Sequence, residues 1–312
     1  MNFSNEIKSE ITAQPFDNVC CRMAVLSAII RTSGSIFFSG GQAGVEIAVD
    51  NVDVLEFIVS NFEKIYSIKP SEINAKGNSL TLNYKGDRLL YALSELGIVK
   101  VEEGRLSLSF SIKDSPLENN CCLRGYILGA FLGSGSVTLP LQQGGLSGYH
   151  LEFIFSTLTI AEDFISLLCK TGINLTPKIV RRKDKCVVYL KNSQQISDLI
   201  AFFGASSAVL KLNDVIVSRA FVNNLNRRCN CDYANIGRGI EASQKQLIAI
   251  ESLKKHKKFS SLKDELKEIA TLREDNPEDS MQQLADKLGI TKSCANHRMR
   301  KIIELAKEKV NG

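Results

Sequence analysis

Three sets of side chains in this 312-residue chain have the types and spacing for chemistry. The first is a pair of adjacent cysteines that occurs twice, as Cys20-Cys21 and as Cys121-Cys122, 101 residues apart. Thiolates are ligands for zinc and, when activated, nucleophiles. No C-x-x-C spacing accompanies them, however, and His150, His256 and His297 are distant from both pairs in sequence. Adjacent residues on a helix point in different directions, so at most one cysteine of each pair is expected to face a common site. The pairs therefore read as small buried hydrophobes, with no metal and no cofactor. The second set is Ser33-Gly34-Ser35 and its repeat Ser134-Gly135-Ser136, which follow the two cysteine pairs. The third is Lys292, Ser293, Asn296, His297, Arg298, Arg300 and Lys301, cations and hydrogen-bonding groups on one helical stretch, suited to base edges and phosphates.

The first two sets belong to one repeated unit. Cys20 to Ile36 returns as Cys121 to Val137, each copy a cysteine pair, about three turns of apolar and small residues, then Ser-Gly-Ser entering alternating hydrophobics. That pattern predicts helix, tight turn and strand. After the first copy come a Gly40–Gly44 turn, the strand Val45–Val49, a helix through Val54 and Ile65, the strand Leu80–Tyr84 and a helix from Asp87 to Leu96. After the second come Val137–Leu139, a Gly-rich turn over Gln142–Gly148, the strand His150–Phe155 and a helix over Ala161–Thr171. A hairpin from Val180 to Leu190 and a helix over Ser193–Phe203 complete it. Leu106 to Ile112 alternates as an extra strand, and Val209–Leu225 reads as a long helix. A repeat of this length is a duplicated domain rather than a solenoid.

The third set sits in a helix-turn-helix pattern. Ala285 is small enough for two helices to cross closely, Gly289 permits the turn, and Ile290 packs in the angle. Lys292 to Lys309 then buries Met299, Ile302 and Ile303 and leaves Lys292, Ser293, Asn296, His297 and Arg300 to face base edges. Arg298 and Lys301 are placed to hold phosphates. The plainer alternative is a helical protein-binding tail with solvated basic residues. Charge favours the first reading: residues 1–225 carry 21 basic and 21 acidic side chains, whereas residues 226–312 carry 18 and 13. The whole excess of +5 lies in the last quarter, the footprint of a nucleic-acid module joined to a neutral one. Lys254–Lys258 reads as a solvated basic turn, with a phosphate patch as the alternative, and Arg181, Arg182, Lys183 and Lys185 tip the second hairpin as a further possible nucleic-acid contact. The glycine-rich turns lack the strand-turn-helix context of a phosphate loop.

Hydrophobic residues make up 44% of the chain and charged residues 23%, ordinary for a globular protein. No apolar run approaches the roughly 20 residues that span a bilayer. Nine scattered cysteines and a polar opening, Met1 to Lys8, lead us to expect reduced thiols and a cytoplasmic, nucleoid-associated protein with no membrane partner.

The two repeated helices, Leu26 to Ser35 and Ile127 to Ser136, resemble the signature helices of LAGLIDADG homing endonucleases. That resemblance implies two halves packed along the helix pair, with an acidic metal ligand just before the glycine at each helix end. Here those positions are Ser33 and Ser134. A neutral hydroxyl is a poor substitute for a carboxylate on Mg²⁺, so the expectation is a nuclease architecture without catalysis. A divergent LAGLIDADG duplication followed by a helix-turn-helix resembles the WhiA family of sporulation and cell-division regulators. The resemblance rests on Phe3–Lys8, the two Cys-Cys helices, Asn226-Arg227 through Ala234-Asn235, and Asn296 to Ile302. It implies an α+β fold, with a duplicated LAGLIDADG-like N-terminal domain and an all-α domain resembling region 4 of sigma factors. The expected boundaries are 1–118 for the N-terminal segment and first repeat, 119–225 for the second repeat, 226–239 for a linker and 240–312 for the helix-turn-helix domain. It also implies double-stranded promoter DNA as partner, a protein partner for the N-terminal domain, and a role in transcription, cell division, chromosome segregation or sporulation. An active endonuclease and a division-machinery scaffold are the competing readings.

Overall fold

The structure, a computed structural model, describes residues 2–39, 42–77, 79–102, 105–117, 119–140 and 148–307. The tip of the Gly40–Gly44 turn, most of the Gln142–Gly148 turn and the last residues of the expected C-terminal helix lie outside them. The chain forms two compact units, Met1–Arg219 and Ala220–Gly312.

The first unit opens with α1 (Phe3–Thr12), a helix not anticipated from the sequence. The Asn2 side chain accepts from the Ser4 amide at its start, and Phe3, Ile7 and Ile11 enter the core. The first repeat follows as α2 (Val19–Ser33), β1 (Gly34–Ser39), β2 (Gln42–Val49), α3 (Val52–Tyr66), β3 (Glu72–Lys76), β4 (Ser79–Lys85) and α4 (Asp87–Glu95). A two-stranded ribbon, β5 (Val99–Glu102) with β6 (Arg105–Leu108), separates it from the second. That repeat comprises α5 (Asn120–Ser134), β7 (Ser136–Thr138), β8 (His150–Phe155), α6 (Leu158–Cys169), β9 (Lys178–Arg182), β10 (Lys185–Leu190) and α7 (Ser193–Phe203). The two four-stranded antiparallel sheets have the same order, β1-β2-β4-β3 and β7-β8-β10-β9. Duplication is thus visible in topology as well as in sequence. The strand missed in the first copy, β3, is a short exposed edge, Glu72-Ile-Asn-Ala-Lys76, whose polar/apolar alternation runs over only five residues with a single large hydrophobe and no buried face.

The centre of the unit is the pair α2 and α5. Ala24, Val25, Leu26, Ala28 and Ile29 of α2, and Tyr126 to Leu128 and Ala130 to Leu132 of α5, have no exposed surface. Such all-round burial marks a core helix pair rather than a surface helix. The two run parallel, and glycines set their separation. A Cβ at Gly125 would lie 2.8 Å from the Cys21 carbonyl oxygen, one at Gly129 2.3 Å from that of Val25, and one at Gly133 3.3 Å from the Ile29 Cα. Each four-residue step along α5 is matched by a four-residue step along α2, so backbone meets backbone over about two turns. Arg31 leaves the C-terminal end of α2 and donates to the Ser109 carbonyl at 2.6 Å, holding the segment after β6 against the core.

The second unit contains the end of α8 (Ser206–Lys255), then α9 (Asp264–Asp275), α10 (Met281–Lys287) and α11 (Lys292–Lys307). Residues 226–239, expected as a linker, are helical within α8, because no proline interrupts 206–255 and the glycines 237 and 239 are tolerated in a helix at about 1 kcal/mol each. Every residue from Ala220 to Ala242 is exposed. Beyond it, Ser243, Gln246, Ala249, Ile250 and Leu253 form a buried stripe at helical spacing. Ile250 and Leu253 join Leu262, Ile269, Ala270, Ala285, Ala295, Met299 and Ile302 in a separate core.

Candidate nucleic-acid interface

Local chemistry fixes the helix-turn-helix. Ser280 and Gln283 form a reciprocal capping box at the start of α10, the Gln283 amide donating to Ser280 Oγ at 3.3 Å and the Ser280 amide to Gln283 Oε1 at 2.8 Å. Gly289 adopts φ +64°, a left-handed conformation that favours glycine, and turns the chain between the helices. Thr291 then caps α11, its hydroxyl accepting from the Cys294 amide at 3.2 Å. Ala285 and Ala295, both without exposed surface, are the small residues at the crossing.

These constraints decide which face of α11 is free. Ala295, Met299 and Ile302 point inward. Lys292, Ser293, His297, Arg300 and Lys301 are exposed, and Asn296 is half-buried among them. Lys292 and Arg300 form no ion pair with a described residue, whereas Lys301 lies 3.4 Å from Glu304. Arg298 is placed differently: only 15% of its side chain is exposed, and its guanidinium reaches Glu265 of α9 at 3.4 Å. Its spacing, one residue before Met299, turns it toward α9 instead of outward. Of the flanking basic cluster, Lys254 is held by Glu274 at 2.7 Å and lies 5.0 Å from the Phe259 ring centre.

Sequence reasoning missed Arg273, only 2% exposed. Its guanidinium donates to the carbonyls of Asp279, at 2.6 Å, and of Asn276 and Pro277, tying down the loop from α9 to α10. Burial draws its pKa below the ordinary arginine value, partly offset by Asp279. A lone arginine at the end of a helix carries no sequence signal for this. The loop carbonyls that it satisfies are scattered over several residues.

In the first unit, Ser33 and Ser134 end α2 and α5. Ser33 Oγ donates back to the Ile29 carbonyl at 2.9 Å, and Ser134 Oγ donates to that of Ala130 at 3.4 Å while accepting from the Ile154 amide at 3.1 Å. The hydroxyls are engaged in finishing their helices. On the second sheet, Glu152 lies opposite Ser136 but is bound by Arg182 at 3.2 Å and His150 at 3.0 Å. Arg181, Lys183 and Lys185 of the same hairpin are exposed.

The opposite end of the helix pair corrects one expectation. The Sγ atoms of Cys20, Cys21, Cys121 and Cys122 all lie within 4.8 Å of one another, so both members of each pair face one site. The cysteines occupy first turns, where a side chain can lean beyond the helix end, and parallel packing puts the two first turns side by side. Among the described residues this is the one grouping of three or more His, Cys, Asp or Glu side chains spaced to share an ion. Burial pushes the Cys21 thiol up to about 12 and the Cys122 thiol up to about 11, while Cys121 is lowered, chiefly by a hydrogen bond with Cys21. The signal that could have found the group was the repeat itself. Equivalent positions in two copies of a helix meet when the copies pair symmetrically.

Comparison with known proteins agrees with this layout. Family profiles described as WhiA N-terminal LAGLIDADG-like domain, WhiA LAGLIDADG-like domain and WhiA C-terminal HTH domain match residues 19–84, 123–221 and 225–306. A probable cell division protein WhiA from Clostridium botulinum is 31% identical over 321 residues, covering 100% of both chains. One from Clostridium acetobutylicum is 32% identical over 320 residues, covering 99% of this chain and 98% of that one. The crystal structure of full-length WhiA from Thermatoga maritima shares the fold with a TM-score of 0.55 at 20% identity, over 99% of each chain. Duplicated helix pair, paired sheets and C-terminal helix-turn-helix thus come together in one chain, which belongs to the WhiA family.

Proposed function

We propose that this protein is a non-catalytic DNA-binding regulator that reads duplex promoter DNA through α11. The observation that carries this is the exposed N-terminal face of α11, where Lys292, Ser293, Asn296, His297 and Arg300 project beyond a turn fixed by Gly289 and Thr291. Arginine and asparagine there are suited to guanine and adenine edges; Lys292, which the sequence places among the base-facing residues, is taken here with Lys301 as a phosphate contact, because an ammonium is a point charge without a planar fork. Arg298 supports α11 through Glu265 in this reading and contacts no DNA. Relatives named as probable cell division proteins support a role in cell division; this reading extends that role to chromosome segregation or sporulation, with the protein at the nucleoid. The N-terminal domain, comprising residues 1–118 and 119–225, contributes a surface for a protein partner. Residues 226–239 connect it to the DNA-reading domain of residues 240–312.

Binding of the full chain to duplex DNA is expected to weaken steeply with salt. Asn296→Ala and Arg300→Ala should each cost about 1–3 kcal/mol and relax base preference, whereas Lys292→Ala should weaken all sequences alike and reduce the salt slope by about one. Selection of bound sequences from a random duplex pool measures both effects. Unchanged preference in the Asn296→Ala, Arg300→Ala double variant would refute α11 as the reading element. Absence of nuclease activity is supported by Ser33 and Ser134, which have hydroxyls engaged with their own helices. Plasmid DNA incubated with the protein and Mg²⁺ should remain supercoiled; cleavage lost on mutation of a nearby acid would establish the competing nuclease reading.

A further inference from the structure

The four cysteines at the N-terminal end of the α2/α5 pair have the arrangement of a ligand set. We propose that Cys20, Cys21, Cys121 and Cys122 bind one thiophilic divalent ion of the zinc class, a structural metal site that joins the two repeats.

Geometry selects a single ion. Around a tetrahedral Zn²⁺ with metal–sulfur bonds of about 2.3 Å, the sulfurs stand about 3.8 Å apart. The Cys121 and Cys122 Sγ atoms are 3.9 Å apart, and all four lie within 4.8 Å of one another. A cluster of several metals would need its ligating sulfurs spread around a larger body. Four soft thiolates select zinc over magnesium or calcium, and a closed set of four protein ligands leaves no position for a reacting water. The site is therefore structural rather than catalytic.

The surroundings suit the charge. A divalent ion with four thiolates carries two net negative charges, and both cysteine pairs lie in helical first turns, where backbone amides and the helix dipole favour anions. The cap residues Asn18 and Asn119 make no side-chain hydrogen bond to these turns, so no side-chain acceptor competes with the sulfurs there, although the Cys122 amide donates to the Asn119 carbonyl at 3.0 Å. Because α2 and α5 are parallel, both positive ends converge on the same place. Cys122 has no exposed surface and Cys21 is 8% exposed, whereas Cys121 is exposed and Cys20 half-buried, giving a buried floor and an open side through which an ion enters. Bridging ligands 101 residues apart, the ion would clamp the two repeats at the end opposite to Ser33 and Ser134.

The test uses the full chain, purified anaerobically in reductant, loaded with Zn²⁺ and dialysed. One zinc per chain is expected by elemental mass spectrometry, with four thiols protected from a thiol reagent until a chelator is added. Co²⁺ in place of Zn²⁺ should give the strong visible bands of a tetrahedral tetrathiolate, a reading that requires no variant. Cys121→Ser alters an exposed side chain and should weaken Co²⁺ binding by more than the roughly 10–100-fold that loss of an outer-shell partner costs. Cys169→Ser, at an exposed cysteine outside the group, should leave binding unchanged. Failure to retain stoichiometric zinc with the four thiols still reactive, a disulfide mapped among the four, or Co²⁺ binding indifferent to Cys121→Ser would overturn the proposal.

Discussion

Two helix pairs organise this protein, and they solve opposite problems. In α2/α5, two apolar helices lie parallel with backbone in contact through Gly125, Gly129 and Gly133, and every residue of their middle turns, Ala24 to Arg31 and Gly125 to Leu132, is buried. In α10/α11, Ala285 and Ala295 make the close crossing, but α11 keeps one face apolar and leaves the other to solvent and charge. Burial on all sides makes the first pair a scaffold whose chemistry is confined to its ends. Burial on one side makes the second pair a reading surface along its length. At the ends of the scaffold the contrast repeats: four thiols gather at the positive N-termini, and two hydroxyls close the C-termini.

If α2/α5 is a scaffold and α10/α11 a reading surface, each pair should be stabilised independently of the other. The largest effect is expected from Gly129→Leu, because even a Cβ there would lie 2.3 Å from the Val25 carbonyl oxygen. Forcing the helices apart should cost about 3 kcal/mol, the upper end of the usual cost of overpacking. Denaturant unfolding of the full chain should show the loss in the transition of the first unit alone; a neutral substitution would mean that α2 and α5 do not touch through this glycine. Arg273→Met should do the reverse, removing the loop clamp and lowering the second unit by about 2 kcal/mol through carbonyls left without a donor. Arg273→Lys should restore part of the loss, since the three carbonyls all accept from the one Nη1 nitrogen, whose place an ammonium with three donors can partly take. The measurement is the α-helical unfolding transition, and equal shifts in both units would dissolve the distinction.

Ser280→Ala, which opens the capping box, should destabilise the second unit by about 1 kcal/mol, read as a small fall in midpoint with an unchanged slope. The smallest effect sharpens the comparison at the C-terminal end of the scaffold. Ser33→Asp with Ser134→Asp should make thermal stability depend weakly on Mg²⁺, by less than about 1 kcal/mol at millimolar ion, where the unaltered protein is expected to show no dependence. A Mg²⁺ response in the unaltered protein would show that the serines do not set this end's indifference to metal.

Much of this organisation was legible from residue types. The alternation of Val45–Val49 and the apolar spacing of Val54 to Ile65 announced their strand and helix, and Ala285, Gly289 and Ile290 announced the helix-turn-helix through close crossing and turn chemistry that is local by nature. What escaped had at most a faint local signature. The edge strand β3 alternates polar and apolar residues, but over five positions with one large hydrophobe and every residue exposed. The Asn226–Asn235 stretch looks like a connector by polarity, yet helix continues through it because polarity without proline does not stop a helix. Arg298 carries the same charge as Arg300, and only its position on the inward side of α11 separates a support for Glu265 from a candidate DNA contact.

The cysteines divide the two kinds of information most sharply. That the chain contains a duplicated Cys-Cys helix, a neutral N-terminal half and a basic C-terminal module follows from composition and repetition, because charge, periodicity and internal similarity are properties of the linear chain. That four thiols 101 residues apart meet within 4.8 Å is a property of packing. It requires α2 and α5 to lie parallel and in register, and that register is set where glycine lets one backbone rest against the other.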